Sequence, residues 1–152
     1  SPSLTSITHG FRAAIQRCPR PVLAVPDQAA PLTRVLLAYD GSPKANEALF
    51  IATYITGKWN IPLVIVSVEE AGLDAEKIAE SANAYVEGHG QRARKVVKQG
   101  RVGEIIMDTI HNEGCDLLLI GGYGRSSLVS VVLGSTVDNI LMDIKIPALI
   151  CR

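Results

Sequence analysis

The sequence predicts an α/β fold: an open, doubly wound, mainly parallel five-stranded sheet over residues 32–152, with an extra helix–strand unit in residues 1–31. Three observations predict it. Aliphatic runs of strand length alternate with segments of helical apolar spacing, in the order βαβαβαβ and then αβ. The runs IPLVIVSV and DLLLI are apolar almost throughout, as strands covered on both faces must be. The 152 residues, 47% hydrophobic and 20% charged, are enough to bury one core.

Each element has its own signal. Residues 4–17 carry Ile7, Phe11, Ala14 and Ile15 at helical spacing, and CPRPVLAVP supplies a short strand between prolines. The polar segment 27–33, DQAAPLT, reads as a linker. Residues 34–39, RVLLAY, form a buried strand that ends at Asp40 and Gly41. Ser42 is a good N-cap and Pro43 a good first helical residue, so a helix follows to about residue 58, with Ala48, Ile51, Ala52 and Ile55 on its apolar face. Residues 61–68 form the second strand, 69–73 a loop, and 74–87 a helix broken by Gly-His-Gly. The third strand, 92–99, is more amphipathic. Residues 102–112 form a helix with Ile105, Ile106, Thr109 and Ile110 on one stripe and Gly114 as its C-cap. A strand at 117–120, a helix at about 136–142 and a last strand at 147–151 complete the order.

The two ends of the chain echo each other. HGFRAAIQRCPRPVLAVP and VDNILMDIKIPALICR both read as helix, turn, proline and aliphatic strand. Residues 1–31 therefore look like the tail of an upstream copy.

Composition excludes several function classes. Fifteen Lys+Arg balance 15 Asp+Glu, so no polybasic surface for nucleic acid or acidic lipid is expected. No apolar run approaches the ~18 residues of a membrane-spanning helix. Cys18, Cys115 and Cys151 form no CxxC pair and are odd in number, which points to a reduced, cytoplasmic setting. His9, His89 and His111 have no metal-ligand spacing, and no nucleophile elbow surrounds Ser42, Ser126 or Ser135. No general base or metal-ligand set emerges.

The stretch with the clearest chemistry is CDLLLIGGYGRSSLVSVVLGST. A strand runs into Gly121, Gly122 and Gly124, and nine residues separate Gly124 from Gly134, Ser135 and Thr136. Glycines let a backbone approach a ligand closely, and N–H groups at a helix start favour an anion, so this is a candidate phosphate cradle. It lacks the GK[ST] of a Walker loop and the third glycine of the dinucleotide fingerprint. The other strand ends place Asp40 and Val68 beside it, because doubly wound sheets bind ligands beyond their carboxyl ends. Asp40 can contact a ribose or base, or simply open the turn before the helix.

Residues 34–152 resemble the universal stress proteins. The family signature of glycine, two residues, glycine, nine residues, glycine and Ser or Thr is met by Gly121, Gly124, Gly134 and Ser135. VLLAYDGSPKANEAL matches the family's first strand and helix, with Asp40 at its aspartate, and VIVSV its second strand, with Val68 at its valine. The resemblance implies a cytoplasmic nucleotide-binding domain that takes ATP, with or without Mg, or another adenine nucleotide. It places Ala38, Asp40 and Val68 on the adenine, Gly121 and Gly124 on the ribose and first phosphate, and Gly134, Ser135 and Thr136 on the remaining phosphates. Arg125 would neutralise phosphate charge. Ser67, Tyr123 and Val102 depart from the family pattern, where His, a smaller residue and Pro are common.

The resemblance also implies a homodimer or tandem pairing through the last strand, with Val22–Val25 beside Ala148–Cys151. The expected function is thus a stress-response regulator that binds ATP and hydrolyses it slowly at most. The alternative is an assembly module of the same fold that does not depend on nucleotide.

Overall fold

The computed structural model describes residues 13–15, 17–28, 30–121 and 140–151. In chain order the elements are β1 (Val22–Ala24), β2 (Val35–Ala38), α1 (Pro43–Trp59), β3 (Leu63–Glu69), α2 (Ala75–Gly88), β4 (Ala93–Gln99), α3 (Val102–Glu113), β5 (Leu117–Gly121) and β6 (Ala148–Cys151). They form one six-stranded sheet in the order β1-β6-β5-β2-β3-β4. The five strands from β2 onward are parallel, and β1 runs antiparallel along the outer edge of β6. The expected five-stranded parallel sheet is present, and the extra strand joins it as an edge.

Alternate residues of the central strands serve two cores. Val35, Leu37, Leu63, Ile65, Leu117 and Leu119 pack under α1 and α2 on one face. Leu36, Val64, Val66, Leu118, Ile120, Ala148 and Ile150 pack on the other face with Ile106 and Ile110 of α3, and with Ile15 and Ile140. Burial on both faces is why these strands read as continuous aliphatic runs rather than as alternating ones. β4 is the exception because it is the far edge: Arg94 pairs with Glu113 at 2.9 Å, and Lys95 pairs with Glu76 and Glu80.

The helices begin and end where the capping residues dictate. The Ser42 hydroxyl accepts the Ala45 N–H at 3.2 Å, with Pro43 in the first turn, and the Asp74 carboxylate accepts the Lys77 N–H at 3.0 Å. Gly114 closes α3 at φ 63°. One expectation needs correction. The buried face of α1 is Ala45, Ala48, Leu49, Ala52, Thr53 and Thr56, whereas Ile51 and Ile55 lie at its margin. Small residues let α1 sit close to the sheet, and Thr53 and Thr56 donate to the carbonyls of Leu49 and Ala52, both at 2.8 Å, so their hydroxyls enter the core satisfied.

The linker before β2 is held at the amino end of the sheet. The Asp116 carboxylate, at the start of β5, accepts the N–H groups of Thr33 and Arg34 and the Thr33 hydroxyl. Asp116→Ala is expected to cost about 2 kcal/mol in urea unfolding, because several donors lose a charged acceptor. A cost below about 0.5 kcal/mol would show the clasp to be dispensable.

Cys115 and Cys151 are buried and Cys18 is half-buried, and none is in a disulfide. Burial pushes the Cys115 and Cys151 thiols from the ordinary 9.0 up to about 11. The folded state keeps these protons where the unfolded state has lost them. Both thiols therefore favour folding below pH 9.0, and that contribution fades as the pH rises toward about 11. A disulfide reagent at pH 8 should modify Cys18 quickly in the native protein and the other two only after denaturation.

Candidate functional site

The chain leaves β2 for β3 and β4 on one flank, then returns through α3 to β5 on the other flank. Strand order reverses between β2 and β5, and it is beyond the carboxyl ends at such a reversal that open α/β sheets bind ligands. Register makes those ends level: Ala38 is paired with Val66 on one side and with Ile120 on the other. Ala38, Asp40, Val68 and Gly121, picked out above as site residues, lie at these three strand ends. All four are half-buried, whereas the residues leading to them along the strands are mostly buried.

Local hydrogen bonds set the shape of this rim. The Tyr39 N–H donates to the Val66 carbonyl at 2.9 Å, and the Ser67 hydroxyl donates to the Tyr39 carbonyl at 2.7 Å. The end of β2 is thereby held to β3. Asp40 Oδ1 accepts the Ser42 N–H at 2.9 Å, so the turn-opening role open to Asp40 is realised. Gly41 follows at φ 76°, a conformation that side chains other than glycine rarely adopt. Tyr39 Oη donates to Asn46 Oδ1 at 2.6 Å, which ties the strand end to α1.

Gly121 has a packing role distinct from any ligand. A Cβ there would lie 2.7 Å from the Ala45 nitrogen and 2.8 Å from the Lys44 carbonyl carbon. The end of β5 thus meets the backbone of the first turn of α1, and only glycine fits that approach. Cys151 is paired with Gly121 in register, so the end of β6 is level with this contact.

Charge divides the rim. Beyond β3, a cleft of about 610 Å³ is lined by Glu69, Glu70, Asp74 and Gln99 among others, and among the described residues that line it there are three carboxylates and no cation. Glu69 also accepts the Ala75 N–H at 3.3 Å and so braces the start of α2. This flank repels a phosphate, whereas the apolar surfaces of Ala38 and Val68 and the Asp40 carboxylate suit a base or a ribose.

Gly124, Arg125, Gly134, Ser135 and Thr136 lie outside the described residues, as does most of the helix expected at 136–142, of which residues 140–143 are helical. Two groups were not singled out from sequence. The Tyr39–Asn46 contact left no trace, because Tyr39 reads as one more strand residue. From sequence Ser67 reads only as a departure from the family pattern, although a lone hydroxyl inside an apolar run is a signal that it has a buried partner.

A sequence profile of the universal stress protein family matches residues 67–152. The universal stress protein Slr1230 of Synechocystis sp. is 32% identical over 140 residues, which cover 91% of this chain and 49% of that protein. A crystal structure of a universal stress protein from Archaeoglobus fulgidus has the same fold, with a TM-score of 0.78 at 22% identity over 93% of this chain and 52% of that one. The strand order defines an open α/β domain with a switch point between β2 and β5. The chain belongs to the universal stress protein family. It spans about half the length of the Synechocystis relative. Two further solved relatives of this fold are complexes, one with cAMP (TM-score 0.65, 19% identity, 81% of this chain and 99% of that one) and one from A. fulgidus with dAMP (TM-score 0.62, 15% identity, 82% and 100%). These two relatives bind adenine nucleotides.

Proposed function

We propose that this domain is a regulatory module that binds ATP, with or without Mg, and hydrolyses it slowly at most. The observation that carries the reading is that Ala38, Asp40, Val68 and Gly121 all stand, half-buried, at the carboxyl ends of the three adjacent strands β3, β2 and β5 where the strand order reverses. The adenine lies against Ala38, Val68 and Asp40. The acidic flank beyond β3 turns the phosphates the other way, toward the end of β5 and the glycine-rich segment. There Gly121 and Gly124 face the ribose and first phosphate, Gly134, Ser135 and Thr136 take the others, and Arg125 offsets their charge. The complexes of relatives with cAMP and dAMP support the choice of an adenine nucleotide.

Titration calorimetry with MgATP tests this. One nucleotide per chain with a dissociation constant below millimolar is expected, and no heat at millimolar nucleotide would overturn the reading. Gly134→Val is expected to weaken binding more than 100-fold while leaving the circular dichroism unchanged, because a branched Cβ occupies the phosphate path. The free cysteines support a cytoplasmic setting. A second reading, assembly without nucleotide, is favoured by one specific observation, the antiparallel pairing of β1 with β6.

A further inference from the structure

The second half of α1 and the end of α2 face each other across a groove of about 490 Å³. Phe50 and Tyr54 stand one turn apart on α1, and Tyr85 and His89 one turn apart at the end of α2, so each helix presents a pair of rings to the groove. The rings of Phe50 and Tyr85 meet at 5.0 Å between centroids and those of Tyr85 and His89 at 4.3 Å, which makes one continuous aromatic wall. Among the described residues Tyr39 is the one aromatic side chain fully in the core, whereas Phe50 and Tyr54 are 49% and 66% exposed. Flat apolar surface withheld from the core and gathered in one groove has the character of a binding surface.

The floor of the groove is polar and fixed in place. Gln91 Nε2 donates to the Thr53 carbonyl at 2.9 Å, which lays the amide across α1. Gly57 makes room for it, since a Cβ there would strike Gln91 Nε2 and lie 2.9 Å from Gln91 Cδ. A glycine inside a helix costs backbone entropy, and here it admits the Gln91 amide. The amide nitrogen carries a second N–H beyond the one given to Thr53.

The groove also has a direction. Helices that connect parallel strands run back along them, so Phe50 and Tyr85 lie toward the carboxyl ends of the sheet, and Lys58, His89 and Gln91 toward the amino ends. The Phe50–Tyr85 contact closes the first end. At the open end Lys58 continues the row of Phe50 and Tyr54, with Nζ 5.9 Å from the centre of the Tyr54 ring. Carbonyls at the two helix ends would draw a cation, but they are engaged: Thr56 accepts the Asn60 and Ile61 N–H groups, Val86 that of Gln91, and Tyr85 the His89 Nδ1–H. Among the described residues that line the groove there is no carboxylate. Its open end is therefore complementary to an anion, and its closed end to an aromatic ring.

We propose that this groove is a second ligand site, one that takes a small planar aromatic carboxylate. The rings lie between Tyr54 and the wall of Tyr85 and His89, and the carboxylate meets the Lys58 ammonium and the second N–H of Gln91. The volume suits a molecule of one or two rings. The site stands at the end of the sheet away from Ala38, Asp40 and Gly121, so the inference does not rest on the nucleotide reading.

The test is calorimetric titration of the folded chain with 2-naphthoate, and with two probes that each lack one feature, cyclohexanecarboxylate and 2-naphthylmethylammonium. One 2-naphthoate per chain is expected to bind with a dissociation constant below millimolar, and each of the other probes roughly 10-fold or more weakly, as the loss of ring stacking or of a charge-assisted hydrogen bond requires. Lys58→Gln and Tyr54→Ala, both at exposed positions, should each weaken 2-naphthoate roughly 10-fold with the urea midpoint unchanged. Gly57→Ala should weaken it as well, because the new methyl displaces the Gln91 amide. No saturable binding at millimolar 2-naphthoate would overturn the proposal, and so would equal binding of either comparison probe. Binding that survives both Lys58→Gln and Tyr54→Ala, or that saturating MgATP displaces, would place the ligand elsewhere and overturn it too.

Discussion

Gly121→Ala is expected to destabilise the protein by about 3 kcal/mol, the upper part of the range for forcing an atom into a packed interior. The added methyl would meet the Ala45 nitrogen at 2.7 Å and the Lys44 carbonyl carbon at 2.8 Å, and both are backbone atoms that no rotamer change can move. Relief requires the first turn of α1 to leave β5, which strains the Ser42 cap and the Asp40 turn that precede it. Gly72→Ala is the comparison. Its φ of 81° strains any side chain, but nothing lies within 4 Å of the new methyl, so only the conformational cost of about 1 kcal/mol is expected. Equal losses at the two positions in urea unfolding would show that close approach is not what requires glycine at 121. Because the same turn stands at the strand ends proposed to bind nucleotide, Gly121→Ala should also weaken adenine-nucleotide binding at temperatures where the variant remains folded.

Asp40→Ala and Asp40→Asn are expected to separate the two roles of this residue. Asparagine retains an oxygen for the Ser42 N–H, so Asp40→Asn should leave stability within about 0.5 kcal/mol of the wild type. Alanine removes that acceptor and should cost about 1 kcal/mol, as the loss of a turn or cap oxygen ordinarily does. If the carboxylate contacts the nucleotide, both variants lose affinity, by roughly 10-fold for one charged hydrogen bond. If the residue serves only the turn, Asp40→Asn binds MgATP as the wild type does. Calorimetric titration beside urea unfolding reads both outcomes.

The order of strands and helices was legible because each signal is local. Ser42 followed by Pro43 starts α1, Asp74 starts α2, and Gly114 ends α3, and each does so through atoms within four residues of itself. The covered strands betray themselves by lacking alternation. The buried face of α1 was harder to read, since Ile51 and Ile55 look more apolar than Thr53 and Thr56. Hydroxyls satisfied by the preceding turn can be buried at little cost, and a helix pressed against a sheet needs small side chains more than greasy ones.

The candidate site was legible in part for the same reason. Asp40, Val68 and Gly121 can be picked out as strand-end residues, but a sequence does not say which ends are neighbours. Ser67 and the Tyr39–Asn46 contact join residues whose relation depends on pairing or on the turn of α1.

The sequence by itself determined the element order, the caps, the parallel and doubly covered character of the sheet, the glycine spacing and the repeat of a Pro-led strand at both ends. Tertiary structure alone decided that β2 and β5 are adjacent where the order reverses, that Gly121 is demanded by the backbone of α1, and that Leu23 lies opposite Leu149. Those three facts are distances between parts far apart in the chain, and they follow from which surfaces can be buried together, a property of the packed whole that no local window contains.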